Sequence, residues 1–363
     1  MLEEGRISGK QMVFLTIVII LSAGAASGPV LIYREAGRDS WLSVILLGFL
    51  GVAAGVVAAG LGMRFPNMNI VQYGELLAGR ILGRAIVLLY IIFFLYANII
   101  FIRDFSEILV TYFMPETPLL FFVVGLTTAS AYIVRSGLEV LARMNVILTT
   151  AAVLLGLLMF SLSSPLLRIE NFTPVLEDGI MPVLKGVFHI APLFAETMSL
   201  LMIIPYLNRP QEAKRAILRG SAIAGLVELL AISIAVALLG ERMARNLVPF
   251  LTIARQISIS ELIERVEPLF ILAWMIVAVA RISIFHFLTV LTISQWLNLK
   301  EYKALVLPAG VLTTVLSVVL WGSFVELFSH ITKILPFAFL PLELGLPLLL
   351  LVTAHLRGKG GGG

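Results

Sequence analysis

The chain has 363 residues, of which 60% are hydrophobic and only 13% are charged, and its mean hydropathy is +1.03. A soluble domain could not bury that much apolar surface, so the composition excludes that class and indicates a polytopic membrane protein. The net charge of +4 contains no basic run of the kind that binds nucleic acid, and the sequence has no cysteine for disulfides or thiolate metal sites.

Ten apolar segments are predicted to cross the membrane within a single transmembrane domain, 1–363. They are 11–33, 41–63, 85–105, 119–134, 145–162, 185–207, 220–240, 268–292, 304–325 and 334–355. The first segment is too long for a signal peptide and lacks a small-residue cleavage pattern, so we expect it to remain as the first span. Residues 357–363 are expected to form a flexible, basic and glycine-rich tail.

The first span is interrupted in its second half, at residues 21–29. Gly24 and Gly28 each cost a helix about 1 kcal/mol relative to alanine, and Pro29 lacks the N–H of one helical hydrogen bond. A break at mid-membrane is tolerated only where it faces protein or a watery cavity, and such breaks form substrate sites in transporters. The alternative is a kinked helix that packs through small residues, because Gly24 and Gly28 have the GxxxG spacing.

The sixth span carries a second interruption at the matching place in the other half of the chain. It contains His189, Pro192 and Glu196, and Pro205 follows near its end. Five spans and then five more, each set opening on a broken helix, predict an all-α fold of two inverted repeats, 1–184 and 185–356. Non-helical backbone is expected within 22–28 and within 189–196.

The distribution of lysine and arginine predicts the orientation of the chain. If the N-terminus is cytoplasmic, 15 of these residues fall in inner connections and nine in outer ones. This bias favours both termini in the cytoplasm. Segment 241–267 alternates apolar and basic residues and predicts a helix on the outer surface, and segment 64–84 is a candidate for the same arrangement inside.

Ionisable side chains inside spans are costly and usually face the protein interior. The candidates are Glu196, Glu228, Arg281 and Glu343. Arg281 lies near the middle of the eighth span and needs a partner, with Glu196 the first choice and Glu228 the second.

Two further pairs of charged residues have helical spacing. Arg103 and Glu107, at the end of the third span, predict an i,i+4 ion pair. Glu326 and His330 are also four residues apart, and they are interpreted as a solvated face at the outer end of the ninth span.

No nucleophile–base arrangement, Walker loop or glycine-rich dinucleotide loop occurs, so no enzyme activity and no cofactor is expected, and the two-ligand spacing of His189 and Glu196 is weak for a metal. Candidate ligand-binding residues come instead from the two breaks, the eighth span and the third span. Phe194 is a candidate aromatic lid. The candidates for the opposite wall, all on the third span, are Tyr90, Phe94, Tyr96 and Asn98. The site residues are Ser22, Gly24, Ala25, Ser27, Gly28, Tyr96, Asn98, His189, Phe194, Glu196 and Arg281.

Several connecting motifs occur together in a recognisable order. They are Ala36-Gly37-Arg38-Asp39-Ser40-Trp41, Arg64-Phe65-Pro66-Asn67, Phe105-Ser106-Glu107-Ile108-Leu109, Pro115-Glu116-Thr117-Pro118 and Arg135-Ser136-Gly137-Leu138-Glu139. The set resembles the B subunit of spore germinant receptors, a family of the amino acid–polyamine–organocation transporter superfamily. The resemblance covers the whole length, although its motifs crowd into the first 145 residues.

The resemblance implies a leucine-transporter-type fold and a nutrient-sensing subunit of a germinant receptor in the spore inner membrane. Its ligand would be an amino acid or a similar small nutrient, and its partners would be membrane lipids and the A- and C-type receptor subunits. An amino acid permease is the alternative, and a structural assembly subunit is a third class. In sodium-coupled relatives of this fold the eighth span lines an ion site, so Arg281 is a candidate substitute for that cation, a structural ion pair, or both.

Overall fold

The computed structural model describes residues 3–25, 28–257 and 266–358. Within these ranges the chain is helical and contains no β-strand, apart from one isolated bridge between Ile7 and Leu207. The fold prediction of an all-α protein is confirmed.

Among the residues described in the first half of the chain there are seven α-helices, with a short 3-10 turn before α3. They are α1 Gly9–Ala25, α2 Gly28–Ala36, α3 Ser40–Arg64, α4 Ile70–Ala78, α5 Arg80–Tyr112, α6 Leu119–Arg135 and α7 Leu138–Ser163.

In the described part of the second half there are eight α-helices and several 3-10 segments. The α-helices are α8 Met181–Ala195, α9 Ala213–Leu239, α10 Pro249–Gln256, α11 Glu267–Trp296, α12 Lys303–Val319, α13 Phe324–Lys333, α14 Leu335–Leu340 and α15 Leu346–Leu356. A 3-10 segment, Glu196–Met202, follows α8 directly, and a π segment, Pro341–Gly345, joins α14 to α15.

Every predicted span overlaps a helix, but length and hydropathy do not confirm the count of ten. Six helical stretches among the described residues are long and apolar enough to cross a bilayer, and a bent pair raises that number to seven. The apolar stretches Gly9–Ser22 and Leu119–Arg135 are shorter. The expected surface segments 241–267 and 64–84 contain the short helices α10 and α4.

The two predicted interruptions compare differently with the structure. The first helix ends at Ala25 and α2 begins at Gly28, and the two residues between them lie outside the described part of the chain. The second change in geometry lies at the end of the predicted stretch rather than within it. Although α8 contains Pro192, it stays α-helical to Ala195, and the N–H of Glu196 donates to the carbonyl of Pro192 before the 3-10 segment begins.

The predicted ninth span ends earlier than expected. The axes of α12 and α13 differ by 102°, so residues 324–333 form a separate helix. Glu326 and His330 therefore lie on α13, not on the end of the ninth span. The hydroxyl of Ser323 accepts a hydrogen bond from the N–H of Glu326 (3.3 Å) and caps the new helix.

Helices α1 and α9 pack closely at Gly220. A β-carbon at this position would lie 2.5 Å from Cβ of Thr16 and 2.8 Å from the carbonyl oxygen of Val13. Because the second atom belongs to the backbone, a side chain at Gly220 would force the two helices apart.

Gly220→Ala is therefore expected to destabilise the protein by about 1–3 kcal/mol, the usual range for overpacking. Gly125→Ala is the matched control, since a β-carbon at Gly125 of α6 would meet no atom within 4 Å. The control should be neutral or slightly stabilising, because alanine is the better helix former. Melting temperatures of the purified variants test this. If Gly220→Ala melts at the same temperature as the unmodified protein, the interface between α1 and α9 can accommodate a β-carbon and the prediction is wrong.

The segment before α1 is tied to three distant parts of the chain. The carboxylate of Glu3 accepts hydrogen bonds from the N–H of Leu138 (3.1 Å) and the hydroxyl of Tyr302 (2.8 Å). The N–H of Ile7 donates to the carbonyl of Tyr206 (2.9 Å), just after the second broken span. Burial and the Glu3 carboxylate raise the pKa of Tyr302, so its hydroxyl keeps the proton that it donates. This closes one end of the bundle.

Candidate functional site

A small cavity lies where the two interrupted spans approach α5, α11 and the α13–α14 region. Its volume is about 40 Å³, room for about three water molecules. The described residues that line it are Ser22, Gly28, Leu31, Ala97, Ile100, Phe101, Asp104, Leu193, Glu196, Arg281, Ile331, Leu335 and Phe339. The cavity thus collects residues from both breaks.

The ionic centre of the cavity is the pair Arg281–Glu196. Nε of Arg281 donates to one carboxylate oxygen of Glu196 (3.3 Å) and Nη2 donates to the other, so the contact is bidentate. Both side chains are almost fully buried, at 2% and 1% exposure. The prediction that Arg281 has a carboxylate partner, with Glu196 as the first choice, is confirmed.

Two aromatic rings hold the guanidinium of Arg281 in place. Its central carbon lies 4.1 Å from the ring centroid of Phe101 and 4.6 Å from that of Phe285. Both distances are within the range of cation–π attraction, which is stronger where water is excluded. Because arginine keeps its proton, this arrangement fixes a positive charge beside the first break.

The backbone adds a second set of charges to the cavity. Helix α2 begins at Gly28, on the cavity wall, and its first N–H groups carry the positive end of the helix dipole. The carboxylates of Glu196 and Asp104 supply negative charge. The cavity wall therefore carries charges of both signs, positive at Arg281 and at the start of α2 and negative at the two carboxylates.

Four of the predicted ligand-binding residues line the cavity: Ser22, Gly28, Glu196 and Arg281. Gly24 and Ala25 belong to the last turn of α1. Ser27 lies outside the described residues.

Three other predicted residues, Tyr96, Asn98 and His189, lie elsewhere in the structure. The hydroxyl of Tyr96 pairs with Nε2 of His330, and the side chain of Asn98 is buried away from the cavity lining. His189 lies 3.5 Å from a carboxylate oxygen of Glu35 and is 3.2 Å from the carbonyl oxygen of Thr332.

The expectation of an aromatic lid at Phe194 is corrected. Its ring packs toward α3, where a β-carbon at Gly51 would lie 3.6 Å from it. The aromatic residues of the cavity wall are Phe101 and Phe339. Phe194 points away because the α-helix continues unbroken to Ala195, which sets the direction of its side chain.

The sequence interpretation missed the face of α5 that lines the site. Ala97, Ile100, Phe101 and Asp104 form one stripe at helical spacing. Tyr90 and Phe94 continue the same stripe by the 3–4-residue pattern, so their positions pointed to it. Tyr96 and Asn98 are off the stripe by one position on either side of Ala97.

The predicted ion pair between Arg103 and Glu107 is confirmed, with a distance of 2.6 Å from Nη2 to the carboxylate. Nη1 of Arg103 also donates to the carbonyls of Ser317 and Val318, both at 2.9 Å. This pair therefore joins α5 to the end of α12 and has a structural role beside the site.

Comparison with known sequences finds one family profile, described as "Spore germination protein", that matches residues 6–322. "Spore germination protein KB" of Bacillus subtilis (strain 168) is 30% identical over 99% of this chain and 97% of its own length. "Spore germination protein YndE" of the same organism is 27% identical over 80% of this chain and 81% of its own. "Spore germination protein XB" of Bacillus anthracis is 25% identical over 76% of this chain and 78% of its own.

Comparison with solved structures finds transporters of the leucine-transporter type. A substrate-bound, outward-open Na⁺-coupled sialic acid symporter matches with a TM-score of 0.67 at 14% identity, over 96% of this chain and 79% of its own. MhsT in complex with L-phenylalanine matches with a TM-score of 0.67 at 18% identity, over 98% of this chain and 90% of its own. The inward-facing conformation of Mhp1 matches with a TM-score of 0.55 at 14% identity, over 98% of this chain and 78% of its own. These similarities establish the fold.

Proposed function

Because the chain belongs to the spore germination protein family, we propose that it is the nutrient-sensing membrane subunit of a spore germination receptor and binds a small amino acid. The observation that carries this proposal is the cavity between the two interrupted spans, with Arg281 and Glu196 buried in its wall. The protein is a multi-pass, permease-like membrane protein, and a cavity of this kind is where that fold type binds substrates.

The chemistry of the cavity favours a ligand that carries both signs of charge. The first N–H groups of α2 would hold the carboxylate, and Glu196 would attract the ammonium. The present volume of about 40 Å³ is too small for an amino acid, so the cavity has to widen when the ligand binds. Binding would shift the equilibrium between a narrow and a wide form, and partner subunits would respond to that shift.

The proposed setting is the inner membrane of the spore, with both termini in the cytoplasm and with A- and C-type receptor subunits as partners. The bias of lysine and arginine toward one set of connections supports this orientation. The family relationship supports the setting and the partners.

An amino acid permease is the second candidate, and the fold similarity to a substrate-bound symporter supports it. Fold alone does not separate the two functions, because a receptor and a permease can share one binding site. They differ in whether the ligand crosses the membrane.

The distinguishing experiment uses the purified chain in proteoliposomes with the common L-amino acids as radiolabelled probes. Binding without accumulation inside the vesicles is the expected result. Saturable, time-dependent accumulation would instead establish the permease. If the purified chain shows no binding and no uptake, both the receptor and the permease proposals are contradicted. A structural assembly subunit is then the remaining function.

A further inference from the structure

A buried acid lies between α14 and α15 and does not line the candidate ligand site. Glu343 lies in the π segment Pro341–Gly345, between α14 and α15, and is 1% exposed. Neither of its carboxyl oxygens makes a hydrogen bond to any residue that the structure describes. A π segment inside a helix frequently marks a functional position.

The groups that face Glu343 are few. Tyr90 on α5, Glu196 on the 3-10 segment and Arg281 on α11 are within electrostatic range. The hydroxyl of Tyr90 donates to the carbonyl of Leu342 (3.1 Å), not to the acid. Helix α8 also packs against the π segment, but its His189 contacts Glu35 and Thr332 instead.

Among the described residues, Glu343 thus faces one other carboxyl group, that of Glu196, and one guanidinium, whereas Asp104 lies in the cavity wall on α5. Both hydrogen bonds of Arg281 go to Glu196, and Nη1 of Arg281 has no hydrogen-bond partner among the described residues. If Glu343 were ionised, it would be a buried charge with neither an ion-pair partner nor a hydrogen bond. A carboxylate in that position costs far more than a neutral acid, so the group remains protonated.

We propose that Glu343 is a proton-binding site that alternates with Glu196 as the counter-ion of Arg281. While Glu196 pairs with Arg281, Glu343 holds a proton. When Glu196 leaves the guanidinium, the O–H bond of Glu343 breaks, the proton passes to water and the carboxylate takes over the positive charge. This proton site does not depend on the proposed function.

Infrared spectroscopy of the full-length protein at neutral pH tests the site directly, because protonated and ionised carboxyl groups absorb at different frequencies. Glu343→Gln keeps the size of the neutral acid and should lose the signal of one protonated acid per chain. Glu301→Gln is the control, since Glu301 is exposed and its replacement should leave this signal unchanged. An unchanged acid signal in Glu343→Gln would overturn the proposal.

Glu196→Gln tests the alternation. It removes the partner of Arg281, and Glu343 should then ionise to replace it, so the same acid signal should disappear although Glu343 is still present. Persistence of the signal would show that the two acids do not exchange roles. The probe in both measurements is the proton itself, so failure to bind any amino acid would overturn the proposed function and leave this result intact.

Discussion

Arg281→Met is expected to lower the free energy of unfolding by about 3 kcal/mol, the cost of breaking a buried ion pair from one side. The substitution leaves Glu196 buried at 1% exposure and without its guanidinium. It also removes the cation from between the rings of Phe101 and Phe285. The loss should appear as a lower melting temperature of the detergent-purified protein.

The double variant Glu196→Leu/Arg281→Met should recover much of that loss, because apolar residues of similar size often replace a buried ion pair at little cost. Arg143→Met is the control. Arg143 and Glu139 are exposed at 68% and 46%, and a surface pair contributes at most about 1 kcal/mol. A double variant that melts below both single variants would contradict the pairing.

The same variants separate the two hypotheses for Arg281. If the guanidinium replaces a coupling cation, ligand binding should be independent of sodium and Arg281→Met should abolish it. If the pair is only structural, Arg281→Met should lower the melting temperature, and the double variant should regain much of that loss. Strict sodium dependence of binding in the unmodified protein would exclude the substitute-cation hypothesis.

Gly28→Leu is expected to weaken amino acid binding by a factor of about 100 or more while the protein still inserts and folds. Gly28 forms part of the cavity wall at the start of α2. Only a residue without a side chain lets a ligand approach the backbone closely, and an overpacked site loses about 1–3 kcal/mol, which is a loss of roughly 5- to 150-fold in affinity. The loss should be at the upper end, because the cavity holds only about 40 Å³.

Calorimetry with the purified variant measures this affinity. Gly48→Leu is the control, since a β-carbon at Gly48 of α3 would meet no atom within 4 Å. It should bind as the unmodified protein does. Equal affinity in a well-folded Gly28→Leu variant would place the ligand elsewhere in the molecule.

The sequence predicted the parts of the site that follow from strong local costs. Glycine and proline in the first and sixth spans marked the interrupted helices, and the cost of an unpaired arginine at mid-membrane predicted the contact with Glu196. Those costs act on single residues, so one sequence is enough to detect them.

The remainder depends on how helices rotate against each other. Tyr90 and Phe94 indicated the stripe of α5 that faces the cavity, but the sequence does not fix the rotation of a helix, so Tyr96 and Asn98 were chosen in place of Phe101 and Asp104. The bend before α13 left a local signal, because Ser323 followed three residues later by Glu326 is typical of a helix start. The interpretation as one continuous span overlooked it.

The attachment of the N-terminal segment has a consequence for the order of synthesis. Glu3 and Tyr302 are 299 residues apart in the chain. Ribosomes add about 5–20 residues per second, so Tyr302 is synthesised roughly 15 to 60 s after Glu3. The first residues therefore leave the ribosome long before their partner exists, and the end of the bundle that they close is among the last parts of the newly made protein to become native.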